Sequence, residues 1–559
     1  MKKKITSLEQ KELIDSYDFT QETDRLLYSY KRALKEEISV GPYIHVDEIA
    51  SKVAAFYEKI RAVVDWKEEH LLRRTAIERG LKRRFIYEIS GIRVVNGFNL
   101  KDASESLVLE LVRGGHLPNN KIPREKLPNV QKILEKYIYI FGNNPLSLKN
   151  SSLKIKDKIN FYNWFLEIAA CEIEEILLPS LKEMVLINYM SEVMFEKIQI
   201  DPTVNITDNE KFIQIYIASQ LTLFRLDNPI ITYKLLKLKY PDWKNVNEKN
   251  LNYFSKNILK IQDEIKKDFE HPYANDFYIA CEQYDTLFLI LYDVLEELGR
   301  SDQDISDRIF NWKDFGSTVV EVYNKRLASL KTRLFKMAIF STLSVLVASA
   351  VSLFLVEVPI AKFFYGKFNV LAIFVDILLP TFLMFILVLL VKTPGQKNLE
   401  NLLVALKKII YKNEKQEYYE IRLKRKRGFI VKLLVGFFYF LGMGTTLGFI
   451  FWIFYIAKVP ITSVYVDTIN VAVIVFAALL IRQKSKELLV EEKSVFWEFI
   501  LDTLSVPIGR IGQWVAEKWK EYNIVSVFFT VLIDMPIQTI VGVIEDWSLF
   551  IKEKKAKLH

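Results

Sequence analysis

The 559-residue sequence has only two cysteines, Cys171 and Cys281, and five widely separated histidines, His45, His70, His116, His271 and His559. With no CxxC spacing and no histidine cluster beside them, neither a disulfide framework nor a metal site is expected. The chain also lacks GxxxxGK[ST], GxGxxG, HExxH and GxSxG. The usual signatures of phosphate loops, dinucleotide folds, zinc peptidases and serine hydrolases are therefore missing. No pair of carboxylates stands out, so no catalytic residue and no cofactor is expected, and an enzyme is the less favoured class. The start, MKKKITSLEQKELIDSYDFT, is basic but leads into no apolar stretch, so a cleaved export signal is not expected.

What the sequence does have is apolar content. Half of its residues are hydrophobic and 13% are aromatic, which excludes a disordered or fibrous chain and leaves room for two or three domains. The net charge of +9 is unevenly placed: residues 1–330 hold 48 Lys and Arg against 50 Asp and Glu, and residues 331–559 hold 29 against 18. All of the basic excess lies beside the apolar runs. That is the pattern of cationic membrane flanks, and nucleic acid is not expected as a partner, because a phosphate-binding module would concentrate its charge in the water-soluble part.

Four runs are long enough to cross a bilayer: Met337–Val356, Phe368–Val391, Leu433–Ala457 and Ile461–Ile481. Basic clusters precede the first, fill the connection 392–428 and follow the fourth, whereas the other two connections carry only Lys362, Lys367 and Lys458. Cationic segments stay on the cytoplasmic side, so a cell-membrane protein with both termini in the cytoplasm is expected. Ile524–Ile544 is also apolar, but a fifth span there would export the basic tail KEKKAKLH; a re-entrant or interfacial hairpin is expected instead.

The water-soluble half carries helical stripes. Leu251, Phe254, Ile258, Ile261, Ile265 and Phe269 recur at three- and four-residue steps and end at His271-Pro272, and Ile77, Leu81, Phe85 and Ile89 repeat the pattern. Around the second stripe stand Arg73, Arg74, Arg79, Lys82, Arg83 and Arg84, which fit a solvated face paired with nearby acids or, alternatively, an anion or lipid-headgroup site. The expected fold is all-α: a helical cytoplasmic N-terminal domain, a four-helix transmembrane bundle, and amphipathic or re-entrant C-terminal helices. The divisions are helical regions at 1–150 and 151–330, a membrane hairpin at 331–393, a basic connection at 394–428, a second hairpin at 429–482, and C-terminal helices at 483–559. In the last of these, Pro507-Ile508-Gly509 reads as a break between two helices.

PTFLMFILVLLVKTPGQKN (380–398) and DTLSVPIGRIGQWVAEKWKEYNIVSVFFTVLIDMPIQTIVGVIEDWSLFIKEKK (502–555) resemble segments of uncharacterised multi-pass membrane proteins of candidate-phyla, Patescibacteria-type bacteria. The resemblance covers the membrane half and implies no activity and no functional residue.

Within the second run Asp376 stands four residues before Pro380. Because proline has no N–H, the Asp376 carbonyl in a helix loses its partner, so one residue offers a carboxylate and a free carbonyl. By helical rise Asp376 lies roughly 12 Å into its span and Asn470 roughly 13 Å into the fourth. Thr445 and Thr446, roughly 18–20 Å from the opposite face, fall near the same level. These residues form a candidate intramembrane polar cluster. It reads either as glue for the bundle or as an oxygen-ligand site for a hard cation or proton. Small-residue steps at Ser344, Ala348, Ser352 and at Gly444, Gly448 are expected to let the helices approach. The expected function is an anchored scaffold whose residues 1–330 dock a protein partner, the alternatives being a small cation or proton transporter and a membrane-bound enzyme acting on lipid or envelope precursors. The sequence leaves the oligomeric state open.

Overall fold

The computed structural model describes residues 18–36, 41–46, 69–89, 100–145, 155–202, 205–244, 246–300, 305–354, 358–365, 370–412, 419–421, 429–456, 461–490 and 496–522, with a few residues between 547 and 554. They are mostly helical and form two compact units. The expected all-α class holds.

Among the described residues the first unit comprises 24–196, 205–281 and the few between 547 and 554. It contains α1 (Gln21–Glu36), α2 (Glu69–Ile89), α3 (Leu100–Arg113), α4 (Leu127–Asn143), α5 (Ile155–Leu177), α6 (Leu181–Lys197), α7 (Asp208–Leu223), α8 (Asn228–Lys239), α9 (Glu248–Phe269) and α10 (Ala274–Glu282). The sequence stripes become its core: Ile77 and Leu81 of α2 are fully buried, and so are Phe254, Ile258, Ile261 and Ile265 of α9. The helices α2 and α8 both pack on α5, while α4 lies against α3, α5 and α9. Helix α7 starts at a reciprocal cap, in which the Thr207 hydroxyl accepts from the Glu210 amide and the Glu210 carboxylate accepts from the Thr207 amide. Its residues Ile213–Gln220 are then buried all round, as befits a central helix.

The cations of α2 are paired with acids. Arg73 meets Glu174, Arg74 meets Asp227, Lys82 meets Glu78, and Arg83 and Arg84 share Glu110. Arg74 is buried rather than solvated, because Asp227 at the start of α8 supplies its counter-charge inside the fold.

The second unit comprises residues up to 23, 197–204 and 282–523. It contains β1 (Ile198–Ile200), α11 (Asp285–Leu298), α12 (Ile305–Phe310), α13 (Trp312–Ser352), α14 (Val358–Tyr365), α15 (Val370–Leu389), α16 (Gln396–Ile410), β2 (Tyr419–Ile421), α17 (Phe429–Ile456), α18 (Ile461–Ser485) and α19 (Phe496–Tyr522). The units do not divide at 330: that position lies within α13, 41 unbroken residues and roughly 60 Å long by helical rise. The basic connection is likewise structured. Leu402, Leu406, Ile409 and Ile410 of α16 are buried, the helix packs on α11 and α13, and β2 pairs in parallel with β1.

One buried side chain ties this base together. Asn398 donates to the Tyr323 hydroxyl at 3.1 Å and to the Leu488 carbonyl at 2.6 Å, and accepts from the Val490 amide at 2.9 Å. It thus joins α16 to the stem of α13 and to the turn after α18. Asn398→Leu strands three polar groups at once and is expected to lower stability by about 2–3 kcal/mol. Calorimetry of the full chain should show this as a lower melting temperature; an unchanged one would remove Asn398 from the ties that hold the base.

Among the described residues three helices are long and apolar enough to cross a membrane, α13, α17 and α18, and Ile377–Leu389 of α15 is a shorter apolar stretch. Helix α15 packs on α13 and α18, while α17 and α18 both pack on α19. The shared core is Val464, Val471, Ala472, Val475 and Ile508, flanked by Leu379, Leu383 and Leu387. The break expected at Pro507-Ile508-Gly509 is absent, since α19 runs through Pro507 with all three residues buried. Proline frees the Thr503 carbonyl from its intrahelical donor, and Gly442 of α17 sits against that oxygen, where an added Cβ would lie 2.5 Å away. Small residues do bring helices together, but not at the expected positions: Gly444 and Gly448 face open space, Ser344 and Ala348 are exposed, and the contacts fall at Gly442, Gly509 and Gly512. At Gly512 a Cβ would run into the Ala472 backbone carbonyl of α18. The 524–544 stretch and the 150/151 division lie outside the described residues.

Candidate functional site

The residues expected to form an intramembrane polar cluster lie on three helices, α15, α17 and α18. Pro380 is buried inside α15, so the helix continues through it and the Asp376 carbonyl has no amide four residues on. The Asp376 side chain lies outside the described residues. Asn470 is half-buried on α18, the neighbour of α15. Thr445 and Thr446 lie on α17, whose main partner is α19. Their hydroxyls donate to carbonyls of their own helix, Thr445 to Leu441 at 2.9 Å and Thr446 to Gly442 at 2.9 Å, and Thr446 also reaches the Leu504 carbonyl of α19 at 3.3 Å. The helices of Asp376 and Asn470 are therefore side by side, and the threonines point their bonding elsewhere.

Two constellations in the first unit were not visible in the sequence. The first is a closed polar knot. The Lys136 ammonium of α4 lies 2.5 Å from Glu172 Oε1 of α5 and donates to the Trp243 carbonyl at 3.0 Å, while Tyr137 and the Trp243 indole donate to Glu172 Oε2 at 3.0 and 3.1 Å. All four side chains are nearly inaccessible. Burial pushes the Tyr137 phenol well up, and Glu172 beside it adds to the shift. Every donor has its acceptor here, which is the arrangement that fixes one packing of three elements.

The second is open. A cleft of about 380 Å³ lies between the end of α5, the start of α6 and α8. Cys171, Glu174 and Glu175 reach it from one face of α5, being three and four residues apart, with Leu178 just beyond the helix end, and Ile230, Tyr233 and Lys234 reach it from α8 by the same spacing. Arg73 donates to Glu174 at 2.6 Å, Lys237 to Glu175 at 2.7 Å, and Lys237 also lies over the Tyr233 ring. Both acids on the α5 face are thereby neutralised. Lys234 is different: it is 5% exposed, and its ammonium has neither a hydrogen bond nor an ion pair among the described residues. Burial lowers its pKa to about 8, with Glu183 opposing the shift from a distance. Burial raises the Cys171 thiol well above its ordinary value, so it is no nucleophile.

Chemically, the cleft offers one cation without a counter-ion, an apolar wall from Leu178, Leu181, Met184, Phe224, Leu226 and Ile230, and a rim of already paired acids. No known protein family, curated protein or solved structure matches the chain. The resemblance read from 380–398 and 502–555 has no counterpart in those comparisons. In the sequence, Lys234 stands in ITYKLLKLKY beside Lys237 and Lys239 and looks like any solvated helix lysine. The distinguishing fact is that Ile231–Leu236 are six consecutive buried residues, so α8 has no solvent face at that level.

Proposed function

We propose that the chain is a multi-pass membrane protein, anchored by the helices of its second unit, whose helical cytoplasmic region acts by binding a partner rather than by catalysis. The observation that carries this reading is a contrast between two surfaces. On the first unit large apolar side chains are exposed singly, as at Tyr28, Ile159 and Tyr253. On α13, α15 and α17 they form continuous outward faces, with Phe340 at 67%, Phe382 at 60% and Phe440 at 73% exposure among many neighbours. Leaving such faces in water costs roughly 25 cal/mol for each Å² relative to burying them, whereas acyl chains accept them. The basic residues in the first half of α13 and at the end of α18 favour a cytoplasmic base.

Fractionation and thiol accessibility test this together. The full chain is expected to stay with the membrane through alkaline carbonate washing. A thiol introduced by Lys412→Cys, where the native side chain is exposed, is expected to react with an impermeant maleimide only after the cells are opened. The native Cys171 and Cys281 are buried and give little background. Release into the carbonate wash would remove the membrane reading, and labelling in intact cells would reverse the orientation.

A further inference from the structure

The cleft of the first unit can be considered by itself, whether or not the other unit lies in a membrane. A lysine only 5% exposed and without an ion-pair partner is a costly arrangement: the fold has removed most of its water, and Glu183 and Glu175 act on its ammonium without forming an ion pair with it. Lys136 shows the alternative within the same unit, a lysine just as deeply buried whose ammonium meets Glu172 and the Trp243 carbonyl. Lys234 instead lines the cleft, whose lining combines apolar side chains such as Leu181, Met184, Phe224 and Leu226 with the polar Ser180, Glu183 and Tyr233. The two nearest acids of α5 are held by Arg73 and Lys237 and do not turn to Lys234.

We propose that this cleft binds a small amphipathic carboxylate, with its anionic head on the Lys234 ammonium and its apolar tail along the α5–α6 turn and the residues that precede and begin α8. Three features set that class. One cation without an ion-pair partner calls for one negative charge, and with Glu174 and Glu175 already paired the Glu183 carboxylate in the lining disfavours a second one, as on a phosphate monoester. Apolar side chains line the cleft beside Ser180 and Tyr233, so an apolar tail is accommodated. The volume of about 380 Å³ is at the small end of ligand pockets, which fits a chain of several carbons and excludes a nucleotide or a whole phospholipid.

Reductive methylation of the full-length protein with formaldehyde and cyanoborohydride, read by mass spectrometry lysine by lysine, tests this. Octanoate is expected to slow methylation of Lys234 at least tenfold while leaving the exposed Lys260 unchanged; octan-1-ol and inorganic phosphate are expected to slow neither. A parallel measurement follows the carboxyl carbon of ¹³C-octanoate by NMR, where addition of wild-type protein should shift or broaden the resonance and the Lys234→Met protein should not. Equal methylation of Lys234 with and without octanoate, together with an unperturbed carboxyl resonance, would overturn the proposal. Equal protection by octan-1-ol would show that the cavity is merely filled, without charge pairing, and equal protection by phosphate would show that the apolar wall plays no part. Either result would also overturn it.

Discussion

Glu172→Leu is expected to destabilise the first unit by about 3–5 kcal/mol, the usual consequence of removing one partner from a buried ion pair. Leucine fills much of the same space, so the loss comes from what remains: a buried Lys136 ammonium with only the Trp243 carbonyl, and a Tyr137 hydroxyl and Trp243 indole N–H without an acceptor. Adding Lys136→Met should recover part of the loss by removing the stranded charge, but not all of it, because the two aromatic donors still lack their carboxylate. Denaturant unfolding of wild type, both single variants and the double variant closes the cycle. A loss below about 1 kcal/mol for Glu172→Leu would mean that water reaches the knot, contrary to its burial.

Lys234→Met should act in the opposite direction. At neutral pH the wild type holds a charged, unpaired lysine out of water, and methionine keeps the stem packing without the charge. The variant is therefore expected to be the more stable protein by about 3 kcal/mol at pH 7, at about 1.4 kcal/mol for each pH unit by which burial depresses the group. The sign follows from proton binding. Between the folded value of about 8 and the ordinary value of 10.5 the unfolded chain holds a proton that the folded chain has released, so wild-type stability rises with pH across that window relative to the variant. The advantage of Lys234→Met should be constant below about pH 8 and should disappear as the pH passes about 10.5. Comparing the two proteins at each pH cancels the destabilising ionisation of the buried tyrosines. A variant that is less stable than wild type at pH 7 would show that the ammonium has a partner in the folded protein.

Much of the architecture was legible because it follows from local periodicity. The stripe from Leu251 to Phe269 needs only the 3.6-residue repeat to announce an amphipathic helix, and α9 buries that stripe. Three of the four apolar runs likewise correspond, among the described residues, to helices long enough to cross a bilayer, because hydropathy is a sum over neighbours in the chain. The pairing of the α2 cations with acids was also readable as a tendency, since a run of like charges needs counter-charges nearby. Their particular partners, Glu174, Asp227 and Glu110, are up to 153 positions away, as for Arg74 and Asp227, and were not.

By itself, then, the sequence determined which segments are helical, which are apolar and which way their charges are distributed, since those are properties of residues and their near neighbours. Only the tertiary structure decided which of many similar side chains are singled out. Gly444 and Gly448 have the spacing of a helix contact and face open space, while Gly442 and Gly512 make the approach because Thr503 and Ala472 present backbone carbonyls to them. Lys136, Lys234 and Lys237 look alike in the chain, yet one is locked onto Glu172, one holds Glu175 and one faces an empty cleft. The reason is that burial and pairing are set by residues brought close in space from distant parts of the chain, and a sequence pattern records which face of a helix is apolar but not what the fold lays against it.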